Sequence, residues 1–444
     1  MAKRTLIACL ISLFVFLFPL AALSFAQKIP AFPVTPYKLR NGLQVILVED
    51  DSLPLVSVVV GYQVGSINEQ PGKAGLAYLL ENLMFQGSEN IGQMQHVSYI
   101  RRIGGEFNAD TRLDKTLFYT TVPSNQLALV LWLESDRMKS LDISPANVER
   151  AKDALTVELR QREANEPYFE TFFSFDRLLF PFFPYAHPLI GSVEDIKNIS
   201  LEDVAGFYST YYVPNNAVIC VAGSINKPRT RELIARYFET ISPGKDLPPL
   251  DMVQFSEKKG IAQTLRESQA GAPAFHLGFR IVSPRPGEIG ALKILDYVLL
   301  KGKSSRLYRR LYKREHLVYH LSGGIDERKN LQAFKIFAIV NNELMFPRCL
   351  EAIFSELEKL KSSFIPDAEL VKSKNMLKMD VLGRTVTNLD KALMLAQAFL
   401  SQKNLDDLFS DLEDCLKVTP ADLVNFVNRH FGRENNILLN IELK

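Results

Sequence analysis

The strongest constraint on the fold is an internal duplication. The segment NISLEDVAGFYSTYYVPNNAVICV at 198–221 aligns with KVTPADLVNFVNRHFGRENNILLNI at 417–441, and each predicts a Ser/Thr-led helix, an Asn-Asn turn and a strand. Further pairs keep their order in the two halves: Gly75 with Gly290, Glu81 with Asp296, and Gly87 with Gly302. The repeated order predicts two homologous halves in this chain of 444 residues.

The boundary between the halves is a stretch rich in proline and glycine, SPGKDLPPLDMVQFSEKKG at 242–260, which interrupts any periodic pattern. It predicts an N-terminal domain at 27–243, a linker at 244–260 and a C-terminal domain at 261–444. In each half, strand-type runs such as SVVVGYQV alternate with long helical runs such as VERAKDALTVELRQRE. The predicted class is α+β, with two homologous domains, each a largely antiparallel sheet covered by helices.

The N-terminus predicts a secretory signal peptide over residues 1–26. Lys3 and Arg4 precede the apolar run LIACLISLFVFLFPLAALSFA, and Ser24 and Ala26 fit the small-residue cleavage pattern. The mature chain is therefore expected in the periplasm or outside the cell. The apolar run approaches the length that spans a bilayer, so a retained anchor is the alternative, and membrane contact is expected only in that case.

Charge and cysteine content exclude several classes of function. Lys and Arg total 52 against 50 for Asp and Glu, and this balance predicts no nucleic-acid partner. Removal of the signal leaves Cys220, Cys349 and Cys415, which are widely spaced and form no C-x-x-C pair, so buried free cysteines are expected. The chain also lacks a phosphate-binding glycine loop and a G-x-S-x-G elbow.

The stretch GLAYLLENLMFQGS at 75–88 predicts an amphipathic helix that carries one carboxylate, Glu81. Its apolar residues recur at helical spacing and predict a stripe that faces the core: Leu76, Leu79, Leu80, Leu83 and Met84. A second face beside that stripe combines Glu81 with Tyr78, Asn82 and Phe85. Glu81 is therefore expected on an ordered face of the helix.

Positions 78 and 82 are where H-x-x-E-H inverzincins place two zinc-binding imidazoles around a glutamate that polarises the metal-bound water. Here these positions hold Tyr78 and Asn82. The surrounding sequence GKAGLAYLLENLMFQGS nevertheless resembles the active-site helix of the insulinase/pitrilysin-type zinc peptidases, especially their mitochondrial-processing-peptidase-like branch. The resemblance continues through GGEFNADTRLDKTLFYTTVP at 104–123 and GKSSRLYRRLYKREHLVYHLSGG at 302–324.

The resemblance implies a half clam-shell that pairs with a second half, and a degenerate metal site within it. Glu81 stands at the position of the general base, and Glu158 at that of the third zinc ligand. Tyr78 and Asn82 replace imidazoles poorly because zinc prefers nitrogen and sulfur donors, so no cofactor is expected. Glu81 and Glu158 are interpreted as relics that are either solvated or hydrogen-bonded to Tyr78, Asn82 or a nearby base. A metal-free carboxylate pair that performs acid–base chemistry is the alternative.

The resemblance also implies residues that contact substrate. Gly105, Asn108 and Ala109 fall on the family's substrate-binding edge strand, where an extended peptide adds through backbone hydrogen bonds. Tyr319 matches the tyrosine that a non-catalytic half lends to its catalytic partner. The arginine expected seven residues earlier is Tyr312, although Arg309, Arg310 or Arg314 is an alternative source of that cation. Both residues also fit purely structural roles: Tyr319 in packing, and Asn108 as a turn or strand-end residue that satisfies its own backbone.

The spacing of the histidines predicts no relocated metal site. Only His316 and His320 are close in sequence, and since Tyr319 is expected on a strand, they do not share a helical face. Both are predicted to lie on the surface or in a turn.

Three classes of function remain. The favoured one is a non-catalytic subunit that binds extended peptides and pairs with an exported zinc-peptidase paralogue. The alternatives are a stand-alone binding or scaffold protein of the envelope and, third, an active metallopeptidase with altered ligands that requires zinc.

Overall fold

The computed structural model describes residues 34–250, 260–328, 331–401, 405 and 408–444, and it contains two helix-covered sheets. The strands of the first sheet are β1 (Thr35–Lys38), β2 (Gln44–Glu49), β3 (Leu55–Tyr62), β4 (Glu106–Thr111), β5 (Thr116–Pro123) and β6 (Ala217–Gly223). Those of the second are β7 (Ile261–Glu267), β8 (Ala274–Ile281), β9 (Val318–Arg328), β10 (Leu331–Val340) and β11 (Asn436–Leu443).

Helices surround both sheets. In the first half they are α1 (Leu76–Leu83), α2 (Gln95–Arg102), α3 (Leu127–Lys139), α4 (Pro145–Asn165), α5 (Phe169–Leu179), α6 (Phe183–Ala186), α7 (Val193–Asn198), α8 (Leu201–Tyr211) and α9 (Lys227–Phe238). In the second half they are α10 (Glu288–Leu299), a π-helix (Tyr308–Arg314), α11 (Met345–Ser362), α12 (Asp367–Gly383), α13 (Asn388–Leu400), α14 (Ser410–Lys417) and α15 (Pro420–His430).

The duplication is visible in the order of the strands. The first sheet runs β1-β2-β6-β3-β5-β4, and the second runs β7-β11-β8-β10-β9, so the second repeats the first without β1. The pairs β2 with β6 and β7 with β11 are parallel, whereas the other pairs are antiparallel. The predicted α+β class with two largely antiparallel, helix-covered sheets is confirmed.

The aligned segments begin their helices in the same way. The Ser200 hydroxyl accepts the backbone N–H of Asp203 at the start of α8, and the Thr419 hydroxyl accepts that of Asp422 at the start of α15. Each aspartate returns a bond to the backbone N–H of its partner, which completes a capping box. The two helices therefore share one starting device, as expected from homologous segments.

Each half extends one helix onto the sheet of the other half. Helix α5 packs against β8 and β11 of the second sheet, whereas α13 packs against β3 and β6 of the first. Phe175 and Leu179 of α5 join a buried cluster with strand residues Leu331, Ile437 and Leu439. Because each sheet buries a helix from the opposite half, the described chain after residue 33 forms one compact unit.

We call α5 and α13, which each pack on the sheet of the opposite half, the exchanged helices. Glycines at equivalent strand positions allow them to approach the sheets closely. On β3, a Cβ at Gly61 would lie 2.9 Å from Leu400 Cδ1 of α13 and 2.7 Å from Leu117 Cδ2. On β8, a Cβ at Gly278 would lie 2.7 Å from Phe175 Cζ of α5. The helices can approach this closely only because both strand positions lack a side chain.

Ion pairs fasten the exchanged helices. Asp176 on α5 bonds to Lys335 Nζ at 2.5 Å and to Arg328 Nη2 at 2.8 Å, and both partners belong to the second sheet. Lys391 on α13 pairs with Asp50, which follows β2. The Lys391 ammonium holds the pKa of the Asp50 carboxyl down at about 2.

The structure bears on the predictions for the cysteines, the signal peptide and the linker to different extents. Cys220, Cys349 and Cys415 are free and buried, as expected. The signal peptide lies outside the described residues, as do residues 251–259 of the linker, so the boundaries of signal and linker stay predictions. Within the described ranges, no helix combines the length and apolar character needed to cross a bilayer.

We predict that Gly61→Ala and Gly278→Ala each lower the free energy of unfolding by about 1–3 kcal/mol, because the added methyl overpacks an exchanged helix. Urea titration measures the change. Gly206→Ala is the control, since a Cβ on this exposed residue of α8 meets no heavy atom within 4 Å. It should leave stability unchanged or raise it by about 0.5–1 kcal/mol. Equal stability of all three variants would contradict the packing argument.

Candidate functional site

Helix α1 is positioned by a buried carboxylate that precedes it. Glu69 accepts the backbone N–H of Gly75 at 2.9 Å and that of Ala77 at 2.8 Å, so it satisfies two donors at the start of the helix. Gly75 has a φ of +95°, and a Cβ there would lie 2.5 Å from the Ile190 carbonyl oxygen. The glycine is required for both its backbone conformation and this close approach.

The two faces of α1 lie as the sequence pattern predicts. The stripe from Leu76 to Met84 is buried in the first core. Tyr78, Glu81 and Asn82 are half-buried on the adjoining face. The side chains at the family's metal positions therefore project from an ordered and well-packed helix.

The residues at the family's three ligand positions are linked by hydrogen bonds, and Glu158 also bonds to Arg162. The Tyr78 hydroxyl donates to Glu158 Oε1 at 2.9 Å, and Arg162 Nη2 donates to the same oxygen at 2.6 Å. Asn82 Nδ2 donates to the Tyr78 carbonyl, one turn back on its own helix, at 3.2 Å. The Arg162 guanidinium thus supplies positive charge beside Glu158.

These residues do not fit a zinc ion. Burial and the Glu158 carboxylate raise the pKa of Tyr78 well above its ordinary value, so its phenol keeps its proton at neutral pH. Asn82 offers a neutral amide, and the carboxylate of Glu158 already has two donors. In the described part of the chain, no three His, Cys, Asp or Glu side chains cluster in a way that could hold a metal.

Glu81 bonds to the edge strand. The Thr111 hydroxyl at the end of β4 donates a hydrogen bond to Glu81 Oε2. Burial raises the pKa of Glu81, and hydrogen bonds from Thr111 offset part of that rise. The sequence interpretation expected Glu81 and Glu158 to be solvated or to bond to Tyr78, Asn82 or a nearby base. Glu158 bonds to Tyr78 and Arg162, whereas Glu81 bonds to Thr111 and so joins α1 to β4.

The predicted peptide-binding residues lie along the outer edge of the first sheet. Strand β4 pairs with β5 on one side only, and it carries Asn108 and Ala109, while Gly105 precedes its first residue. The Ala109 N–H donates to Asn108 Oδ1 at 2.9 Å rather than to a strand. Asn108 therefore occupies a backbone donor that an added peptide strand would otherwise use.

Tyr319 and Tyr312 lie in the second half, apart from the α1 site. Tyr319, on edge strand β9, is 63% exposed, and it forms no hydrogen bond or ring contact with the α1 site in the described residues. Tyr312 lies on the π-helix and stacks on Tyr308, with ring centroids 4.9 Å apart. Arg310 is held by Glu315 and Glu356, at 2.7 and 3.0 Å.

The two neighbouring histidines match their prediction. His316 is exposed in the segment between the π-helix and β9, with a φ of 49°, and His320 is exposed on β9.

Sequence reasoning missed three residues that shape the site: Glu69, Thr111 and Arg162. Arg162 follows Glu158 by four residues on α4, a spacing typical of helical ion pairs, so a local signal existed. Glu69 and Thr111 reach the site only through the tertiary fold, and no sequence pattern around either residue predicts its contact.

We predict that Glu81→Gln stabilises the protein increasingly as pH rises above the ordinary range for glutamate. A buried carboxyl with a raised pKa disfavours the folded state once it must ionise, whereas glutamine stays neutral and still accepts the Thr111 hydrogen bond. Urea titrations of both proteins at acidic and alkaline pH measure the difference in unfolding free energy. A difference that does not change with pH would contradict the assigned burial effect.

Comparison with known proteins identifies the family. Residues 44–174 match the model described as Insulinase (Peptidase family M16), and residues 198–377 match the Peptidase M16 inactive domain. The zinc protease PqqE of Helicobacter pylori is 29% identical over 399 residues, covering 88% of this chain and 89% of that protein.

Solved structures of related proteins have the same fold. A protease from Helicobacter pylori has a TM-score of 0.87 at 27% identity, covering 93% of this chain and 100% of that chain. The periplasmic protease PqqL from Escherichia coli shares the fold, with a TM-score of 0.76 at 15% identity, covering 94% of this chain and 48% of that chain. Since the two family matches run from β2 into α12, and a relative aligns over nearly its whole length, this chain belongs to the insulinase/pitrilysin family, peptidase family M16.

Proposed function

We propose that this protein is a non-catalytic subunit that binds extended peptides and pairs with a zinc-bearing paralogue to complete a periplasmic metallopeptidase. The observation that carries the proposal is the set of hydrogen bonds joining Tyr78, Glu158 and Arg162. Each of the three family ligand positions, at Tyr78, Asn82 and Glu158, bonds to the protein itself. A subunit with this arrangement depends on a partner for metal chemistry.

Peptide binding does not require the metal positions. Strand β4 keeps one open edge, and backbone hydrogen bonds along such an edge accept many sequences. A peptide carbonyl in place of Asn108 Oδ1 would take the N–H of Ala109. Binding at this edge is therefore compatible with a site that performs no cleavage.

Pairing is supported by the size of related proteins and by exposed aromatic residues. This chain matches only 48% of PqqL, a periplasmic protease whose chain is about twice as long. Tyr319, which matches the tyrosine lent to a catalytic half, is 63% exposed, and Tyr312 is 40% exposed. A second half supplied by another chain would cover these side chains.

We predict that the purified protein, equilibrated with zinc and then dialysed, retains far less than one zinc per chain. The double variant Tyr78→His with Asn82→His restores two imidazoles and should raise retention, and added Arg162→Ala should raise it further by freeing Glu158. Elemental analysis counts the metal. Glu158→Gln in the double-histidine background is the matched control and should cancel the gain. Stoichiometric zinc in the natural protein, with cleavage lost in Glu81→Gln, would instead support an active peptidase.

We predict that affinity capture of the tagged mature protein from its native envelope recovers an exported H-x-x-E-H paralogue in near-equal amount. Mass spectrometry of the captured material identifies it. In the reconstituted pair, Tyr319→Phe should lower peptide turnover without separating the subunits, because only a hydroxyl is lost. Phe364→Ser, at a side chain that is 68% exposed, is the control. Capture of an assembly that lacks any zinc peptidase would favour a scaffold role.

A further inference from the structure

The second half contains a cavity of about 470 Å³. It lies between the exchanged helix α5, strands β8, β9 and β10, and Asp296 of α10. Asp296 is the residue that the duplication aligns with Glu81. The cavity is separate from the α1 site and is independent of the proposed function.

Asp296 has a buried carboxylate that forms no side-chain hydrogen bond among the described residues. Its side chain lines the cavity, the residue is only 5% exposed, and Oδ1 has no partner among the described residues. Facing it on β9, a Cβ at Gly324 would lie 3.2 Å from each carboxylate oxygen. The missing side chain at Gly324 therefore lets the strand lie close to the carboxylate, and the unpaired oxygen is costly unless a donor binds there.

The other acids of the cavity already have partners. Asp176 and Asp326 share Lys335 and Arg328. Asp296 has no salt bridge within the described residues, and burial raises its pKa to about 7, against a smaller opposing effect of Lys301. Among the acids that line the cavity, Asp296 is thus the one without an ion-pair partner within the described residues.

Glu327 also lines the cavity and has a partner. Its carboxylate lies 3.5 Å from Lys293 Nζ, and its side chain is 54% exposed.

Aromatic rings form another part of the lining, which also includes Lys301, Ser322, Ile325 and Ile336. Phe172 is 45% exposed. Its ring centroid lies 4.7 Å from that of His276 and 4.9 Å from that of Phe337. Burial and the nearby Lys335 lower the pKa of His276 to about 3, so the imidazole is neutral and bonds to the Thr171 hydroxyl. These uncharged rings suit the apolar part of a ligand.

We propose that this cavity binds a primary ammonium group on an apolar stem, with the ammonium on Asp296 and the stem against Phe172 and Phe337. An ammonium has donors and no acceptor, which matches a buried carboxylate with a free oxygen. A metal ion is a poorer match, because no three potential ligand side chains cluster in the described residues. The same chemistry comes from a lysine side chain of a peptide or from a free alkylamine.

Calorimetry with the mature chain tests the proposal with two pairs of probes. n-Butylammonium is compared with butan-1-ol, and the blocked peptide Ala-Lys-Ala with its norleucine counterpart. We expect at least one cationic probe to bind about tenfold or more tightly than its neutral counterpart, as for a hydrogen bond between charged groups. Binding of n-butylammonium alone assigns a free amine as the source, and binding of the lysine peptide alone assigns a peptide side chain.

Asp296→Asn should weaken binding of the cationic probe about tenfold or more and leave the neutral probe unchanged. Glu327→Gln is the matched control, because this acid lines the same cavity but is exposed and paired with Lys293. It should bind like the natural protein. Thermal melting verifies that Asp296→Asn folds. If it does not, the comparison of charged and neutral probes in the natural chain still decides.

Two results would overturn the proposal. One is equal affinity for the charged and neutral members of both probe pairs. The other is unchanged binding of the ammonium probe in a folded Asp296→Asn protein.

Discussion

The exchange of α5 and α13 between the two sheets is the contact on which the rest of the structure depends. Each sheet has an apolar face that must be covered, and each half supplies the helix that covers the other. Helix α4, which carries Glu158 and Arg162, is followed after three residues by α5. The residues beside α1 in the first half are therefore anchored through a helix that is buried in the second.

The two aligned acids, Glu81 and Asp296, have different surroundings in the two halves. In the first half, Glu81 bonds to Thr111, and the adjacent Glu158 is satisfied by Tyr78 and Arg162. In the second half, Asp296 faces a strand glycine, Gly324, and keeps an unpaired oxygen inside a cavity. One half thus satisfies its acid with internal hydrogen bonds, while the other buries a carboxylate oxygen that has no partner among the described residues.

Sequence patterns predicted the local features well. The stripe on α1 and the paired capping residues of α8 and α15 follow from helical periodicity and cap chemistry, which act over a few residues. Other features were not accessible. Ser144 precedes α4 but makes no side-chain capping bond, and the segment Tyr308–Arg314 forms a π-helix. Such details depend on packing against distant elements.

The sequence by itself determined the duplication, the α+β class, the family and the absence of imidazoles at positions 78 and 82, because these are properties of residue type and order. Only the tertiary structure decided where the remaining charges bond. Glu69 reaches the start of α1, and Thr111 reaches Glu81, through contacts that chain spacing does not specify. The burial of Asp296 likewise arises because α10, α5 and β9 meet around it, and its Oδ1 then finds no hydrogen-bond partner among the described residues.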